Sequence, residues 1–558
     1  FLISVQRNDR LEIDYFLLVT SSTSVNCSKS WSVYITVMDR KVPSKMAARV
    51  SVATLMQQHC WRLSFIICCL SWAMHKTLSS DMTSMTAIFS AIVCLYWLVK
   101  EIEFMMQRKK LPPGGLGHPL LGYFLPFIRN PSKYSSESFE KYGPVFSEKM
   151  FARVGIVFKR EEEIKRVWNT ERKGQSVGFW IPSLLNLIGH NSLVAITGKR
   201  HRSIRKILEP IFAPNALRDY FETMDGVVLE FLSKWSSSSE DPIFHSSEQF
   251  KMFSMRLFFT AAFGGIEDDI AQQLHDDFKI WFSGLVTPLP YRIPGTAYAR
   301  AMNARDRIMA TFDHWIHRFK AENSPESEKG QNSLIGRLCY GKKENGESMS
   351  MEEIKDNLVL LMFAGHDTTY ASMGTALHCL SAYPEIYAEL EKEAKSLKEP
   401  LDYEELKNAP VLTAFLTEMW RMYPPSSRAQ RLLVEDVEFD DYKAKKGMVF
   451  KYCTHGALKN EKLYEDPYHF DIQRFLPDDH PLLLDPKMKS NGHKFTYSYP
   501  VFGGGVRSCI GIYFAKLEMR LFLTRLFQMY KLEVRNDERV HSPIGGWKNE
   551  FRLTSNKE

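Results

Sequence analysis

Phe502-Gly503-Gly504-Gly505-Val506-Arg507-Ser508-Cys509-Ile510-Gly511 is the stretch on which the reading of this chain turns. Its glycines let the backbone bend tightly and approach a flat object closely. Cys509 precedes a strongly amphipathic helical pattern, Tyr513 to Tyr530. Amide dipoles at a helix start favour a thiolate, and Arg507 adds positive charge two residues away. A thiolate so placed suits soft iron. The other readings are a buried cysteine in a turn or a phosphate loop. No Gly-Lys-Ser/Thr follows and no strand-turn-helix fingerprint precedes, which argues against a nucleotide.

The rest of the chain bounds the answer. Its 558 residues are 44% apolar and 25% charged, which rules out a disordered or fibrous protein. A net charge of +7 is too dilute over this length for a dedicated nucleic-acid binder. The nine cysteines are Cys27, Cys60, Cys68, Cys69, Cys94, Cys339, Cys379, Cys453 and Cys509. That spread is neither a disulfide framework nor a CxxC zinc pattern and suits a reducing compartment.

Between residues 120 and 558 apolar residues recur mostly with helical period, with no internal repeat, which predicts an α-rich body. The clearest helix opens at Ser350, with Glu353 completing a capping box, and runs to Tyr383, where Pro384 stops it. Leu358 to Gly365 is apolar all round, so this helix must cross the protein's middle. Its centre nevertheless carries Asp367, Thr368 and Thr369. Burying such groups is costly unless they are hydrogen-bonded, so they are either satisfied structurally or used.

Four separated motifs together resemble the cytochrome P-450 monooxygenases over residues 111 to 558. The FxxGxRxCxG string resembles the haem loop, Glu418-Met419-Trp420-Arg421 the ExxR motif, and Ala364-Gly365-His366-Asp367-Thr368-Thr369 the oxygen-activating segment. His201 and Arg205 resemble a haem-propionate pair, and Arg431 a further propionate-binding arginine. The resemblance implies a mainly α fold with small β-sheets and a long central helix over haem b. It implies Cys509 as the axial iron ligand, within a haem-binding set that also includes Phe502, Gly505, Arg507, Gly511, Ala364 and Gly365. Asp367 and Thr368 are implied as the proton-delivering catalytic pair, although a threonine on a buried helix commonly bonds only the carbonyl four residues back. Glu418, Arg421 and Arg474 are implied as a buried structural triad. The family's PERF box is here Asp471-Ile472-Gln473-Arg474-Phe475, which keeps the arginine but puts its local turn in doubt.

No flavin, nicotinamide or iron-sulfur fingerprint occurs in the chain, so electrons from NADPH imply a separate reductase, or a ferredoxin in an organelle. Lys199, Arg200, Arg202, Arg205, Lys206, Lys516, Arg520 and Arg525 are candidates for a basic docking face. Phe179, Trp180, Ile181, Leu184 and Leu187, in a loop-like apolar segment, are either core or pocket lining for a lipophilic substrate. The segment from Pro288 to Arg305 and Phe514-Ala515-Lys516-Leu517-Glu518-Met519 resemble the branch of retinoic-acid hydroxylases and plant steroid, abscisic-acid and triterpenoid oxidases, suggesting an isoprenoid. The alternatives are an oxygen-independent haem-thiolate isomerase or dehydratase, and a non-catalytic haem-binding sensor.

Met82 to Val99 is a run of 18 uncharged residues, read as a membrane anchor. Asp81 precedes it and Lys100, Arg108, Lys109 and Lys110 follow, which places the body, residues 120–558, in the cytosol at the endoplasmic reticulum membrane. Residues 1–81 form an extension that starts with Phe1 rather than Met and is poor in acids over 38–76; a plastid or mitochondrial destination is the alternative. Residues 100–119, basic and then Pro/Gly-rich, form a hinge.

Overall fold

The computed structural model describes residues 95, 110–118, 121–151, 153–237, 243–287, 290–482, 497, 499–540 and 546–556. The anchor expected at 82–99 lies outside them, apart from Leu95. Among the described residues no helix is long and apolar enough to cross a membrane. The body comprises Pro112–Leu116 and Leu121–Glu558.

Helices dominate it. The longest, Met351–Ala382, begins as the sequence predicts: Ser350 accepts the Glu353 amide at 3.2 Å, and the Glu353 carboxylate accepts the Ser350 amide at 2.9 Å. Pro384 then opens the next helix, Pro384–Ser396, because its missing N–H costs nothing in a first turn. Ile354 to Leu361 and Met373 to Leu380 of the long helix contribute to two separate apolar clusters, so this helix spans the core.

The helix after the cysteine loop, Ile512–Met529, departs from expectation. It is not strongly amphipathic: Leu517 to Phe527 is buried on nearly every face except at Arg520. Helices Pro214–Ser237, Pro384–Ser396 and Met351–Ala382 all pack on it, so its polar residues are enclosed along with its apolar ones.

The largest sheet runs in the order Gly114–Gly115, Val145–Met150, Arg153–Phe158, Val449–Cys453, Arg428–Leu433, Ser176–Gly178. It brings together a buried charge cluster that no motif announced. Glu148, fully buried, accepts from Arg428 at 2.9 Å, Lys451 at 2.8 Å and the Tyr134 hydroxyl at 2.8 Å. Burial alone would push the Glu148 carboxyl up; Arg428 and Lys451 more than offset it and hold it at about 2.

Candidate active site

The cysteine loop is built from two short 3-10 turns, Pro500–Phe502 and Gly505–Arg507. Gly503 and Gly505 both adopt φ of 65°, where a side chain is strained. At Gly504 the reason is proximity, since a Cβ there would lie 2.1 Å from the Trp168 ring. The loop closes on itself through the Cys509 amide, which donates to the Phe502 carbonyl at 2.8 Å. Cys509 itself is exposed and forms no disulfide.

Its thiol does not follow the sequence expectation. Desolvation raises it above the ordinary range, and the opposing influences are the Gly511 amide and Arg205, not Arg507. The Arg507 guanidinium is already engaged: it donates to Glu171 at 2.7 Å and to the Leu193 and Ile196 carbonyls at 2.9 and 2.8 Å. Arg431 donates to the other Glu171 oxygen at 2.6 Å. One carboxylate thus clasps both arginines expected on propionates, a partner the sequence reading missed because Glu171 lies in an unremarkable charged helix, Glu161–Arg172.

His201 and Arg205 share the helix Gly198–Leu208. Arg205 grips the cysteine loop, donating to the Ser508 carbonyl at 2.8 Å and to its hydroxyl at 3.2 Å. His201 is buried; desolvation, then Arg507, Arg205, Arg202 and Arg431, push its imidazole down to about 3. The pocket therefore carries more positive charge than Glu171 offsets.

Behind the loop stands the triad. Glu418 and Arg421 are fully buried on the helix Pro410–Met422, and Arg421 donates to both Glu418 oxygens, at 2.6 and 2.8 Å. Arg474 completes the group at 3.5 Å from Glu418. The altered PERF box is sound: Asp471 caps the 3-10 helix Ile472–Phe475 by accepting the Gln473 amide, and donates its own amide to Glu418 at 2.8 Å. Trp420 carries this support to the site. Its ring meets Phe502 edge-on at 5.2 Å, and its indole N–H donates to Ser372 of the central helix at 3.0 Å.

On that central helix Ala364 is exposed, although Leu358 to Met362 before it and Thr369 to Leu377 after it are buried. Gly365 likewise faces open space, as does Gly511 in the cysteine loop: a Cβ at either would meet nothing within 4 Å. Thr368 is half-buried and donates to the Ala364 carbonyl at 2.7 Å, the local bond that the sequence left as an alternative to catalysis. Its lone pairs remain able to accept. Asp367 is buried and its Oδ2 has no hydrogen-bond partner. Thr369, two residues on, donates to Glu518 at 3.1 Å; burial pushes that carboxyl up to about 8, against the Thr369 and Ser254 hydroxyls.

These features fit an iron porphyrin. An exposed cysteine free of disulfide suits iron, open space flanks Gly365 and Gly511, and the surplus of cations suits two propionates. Of the apolar candidates for the substrate pocket, Leu187 belongs to the core, within the short helix Pro182–Ile188 that replaces the expected loop. Phe179, Ile181 and Leu184 are half-buried and Trp180 is exposed. The basic docking set also divides. Lys199, Arg202 and Lys206 are exposed, whereas Arg525 is buried on Asp225 at 2.6 Å and Arg520 donates to Thr413 at 3.0 Å. Arg200 pairs with Glu353 at 2.9 Å.

The cytochrome P-450 family profile matches residues 112–557. A cytochrome P-450 relative from Synechocystis sp. is 30% identical over 448 residues, covering 79% of this chain and 96% of its own. Taxane 13-alpha-hydroxylase of Taxus cuspidata is 28% identical over 428 residues, 74% of this chain and 84% of its own. A solved structure of a retinoic-acid-bound cyanobacterial relative superposes with a TM-score of 0.71 at 28% identity, covering 80% of this chain and 99% of that one. The fold, the profile match and these relatives agree: the chain belongs to the cytochrome P-450 family of haem-dependent monooxygenases.

Proposed function

We propose that the protein inserts one oxygen atom of dioxygen into a lipophilic isoprenoid, with electrons passed from NADPH by a separate reductase or, in an organelle, a ferredoxin. The observation that carries this is the exposed Cys509, free of disulfide, in a glycine loop ringed by His201, Arg205, Arg431 and Arg507. The Cys509 thiolate would hold haem b, which when bound would supply the oxygen-activating chemistry. Arg431, Arg507 and His201 would hold the propionates, with Glu171 orienting both arginines. Glu418, Arg421 and Arg474 support the loop through Trp420 and Phe502.

Asp367 and Thr368 supply protons. Asp367 is a buried acid with a free lone-pair site, and Thr368 stands beside it with its hydroxyl open to the site. Phe179, Trp180, Ile181 and Leu184 offer apolar contact for the substrate. A taxane hydroxylase and a retinoic-acid-bound structure among the relatives support an isoprenoid. The exposed Lys199, Arg202 and Lys206 suit an acidic redox partner. The uncharged run at 82–99 supports attachment to the endoplasmic reticulum membrane with the body cytosolic.

The test is reconstitution with a reductase and NADPH under isotopically heavy dioxygen, using a panel of retinoids, diterpenoids and triterpenoids. A product carrying one heavy oxygen atom is the expected result. An oxygen-independent rearrangement would make the protein an isomerase or dehydratase, and haem binding without NADPH-dependent turnover of any member would make it a sensor.

A further inference from the structure

Beside Asp367 lies a cavity of about 20 Å³, lined by Glu248 and Lys251 of the helix Ser246–Phe263, His275, Phe278, Lys279 and Phe282 of Asp268–Phe282, and His366 and Asp367 of the central helix. That volume holds a water molecule. Unsatisfied groups converge on it. Both ring nitrogens of His366, Nδ1 of His275 and Oδ2 of Asp367 are buried without a hydrogen-bond partner. Leaving several such atoms dry would cost about 1 to 3 kcal/mol each, so the cavity, although its lining is mostly apolar, is expected to hold water.

The groups form a graded series from surface to core. Glu248 is half-exposed, and Lys279 donates to it at 3.2 Å. His275 Nε2 lies 3.6 Å from Glu248 Oε2. The His275 and His366 rings are 6.2 Å apart, and His366 Nδ1 lies 3.5 Å from Asp367 Oδ2. The 3.5 and 3.6 Å gaps are near contacts that a small side-chain movement closes, and the wider gap between the two imidazole rings is the one that leaves room for a bridging water. Burial, then His366, lower the His275 imidazole below its ordinary range, so it releases a proton readily. The Phe278 ring packs edge-on against His366 at 4.8 Å, which fixes the imidazole but leaves its nitrogens unmet.

We propose that this cavity is the route by which protons are taken up from solvent, passing from Glu248 through His275 and His366 to Asp367, with water bridging the two imidazoles. Each group accepts one proton on its outer side and releases one on its inner side. Nothing is oxidised or reduced, and the net change is one proton moved inward. His275 and His366 act through Asp367 and are positioning residues. The proposal rests on Asp367 being the proton carrier of a monooxygenase.

The experiment uses the haem-loaded full chain. Glu248→Gln and His275→Phe are expected to lower coupled turnover severalfold and to enlarge the solvent deuterium isotope effect, while Glu248→Asp restores both. A crystal structure of the resting protein is expected to show water between the His275 and His366 rings, a readout independent of turnover. A dry cavity overturns the proposal, as do wild-type coupling and isotope effect in both variants. In those cases wild-type turnover leaves the monooxygenase reading standing; a wild-type protein that consumes no NADPH with any substrate refutes that reading and this proposal together.

Discussion

Replacing Glu518 by Gln should remove a specific pH dependence of stability. Glu518 is 1% exposed on the helix Ile512–Met529; one oxygen accepts from Thr369, and the other has no hydrogen-bond partner. Burial pushes the carboxyl from 4.5 to about 8, so it is protonated at neutral pH. In the unfolded chain the same group ionises near its ordinary value. Between those values the folded state holds a proton that the unfolded state has lost, so the group favours folding fully below about pH 4.5 and progressively less as pH rises through about 8. The slope is about 1.4 kcal/mol per pH unit, or roughly 2 to 3 kcal/mol between pH 5.5 and 7.5. Gln keeps the shape and cannot ionise. Urea unfolding of both proteins, followed by tryptophan fluorescence at the two pH values, isolates the effect, because every other titration is common to them. The variant is expected to gain that much stability over wild type on going from pH 5.5 to 7.5. Parallel pH profiles would show that Glu518 is ionised in the folded protein, and would refute the reasoning.

Arg421→Ala leaves Glu418 buried with the Asp471 amide and only the longer Arg474 contact for a cation, and a loss of about 3 to 5 kcal/mol with poor haem retention is expected in denaturant titration. Glu148→Gln strands Arg428 and Lys451 in the sheet, at a similar cost at neutral pH. Because the Glu148 carboxyl is depressed to about 2, its contribution is present above about 4.5 and lost as pH falls through 2, so the stability gap between the two proteins should shrink only in strong acid. Thr368→Ala removes one local hydrogen bond and should cost about 1 kcal/mol or less of stability. It should keep haem while diverting NADPH electrons into hydrogen peroxide, measured as peroxide released per NADPH consumed; unchanged coupling would remove Thr368 from proton delivery.

What could be read from the sequence was whatever short-range chemistry dictates. The capping box at Ser350, the turn at Pro384 and the glycine loop around Cys509 each depend on residues within a few positions, and each appears as expected. The triad of Glu418, Arg421 and Arg474 was legible only through family resemblance, since nothing local links the last member to the first two. Long-range partners stayed hidden. Glu148 meets Arg428 across 280 positions, and Glu171 meets Arg507 across 336, without any pattern marking either carboxylate. The carboxylate that engages Arg507, the cation expected beside Cys509, was hidden for the same reason. The helix Ile512–Met529 was misread because helical period reports one apolar face, whereas packing on several sides encloses Glu518 and Thr524 as well.

Cys509 is the residue on which oxygen activation by this protein turns. The most direct measurement is the absorption difference spectrum of the dithionite-reduced protein with and without carbon monoxide, for wild type and Cys509→Ala. A strongly red-shifted Soret band in the wild type, lost in the variant, is the expected result. A Soret band at the ordinary position in the wild type would mean that Cys509 does not ligate iron as a thiolate, contradicting the account at its centre.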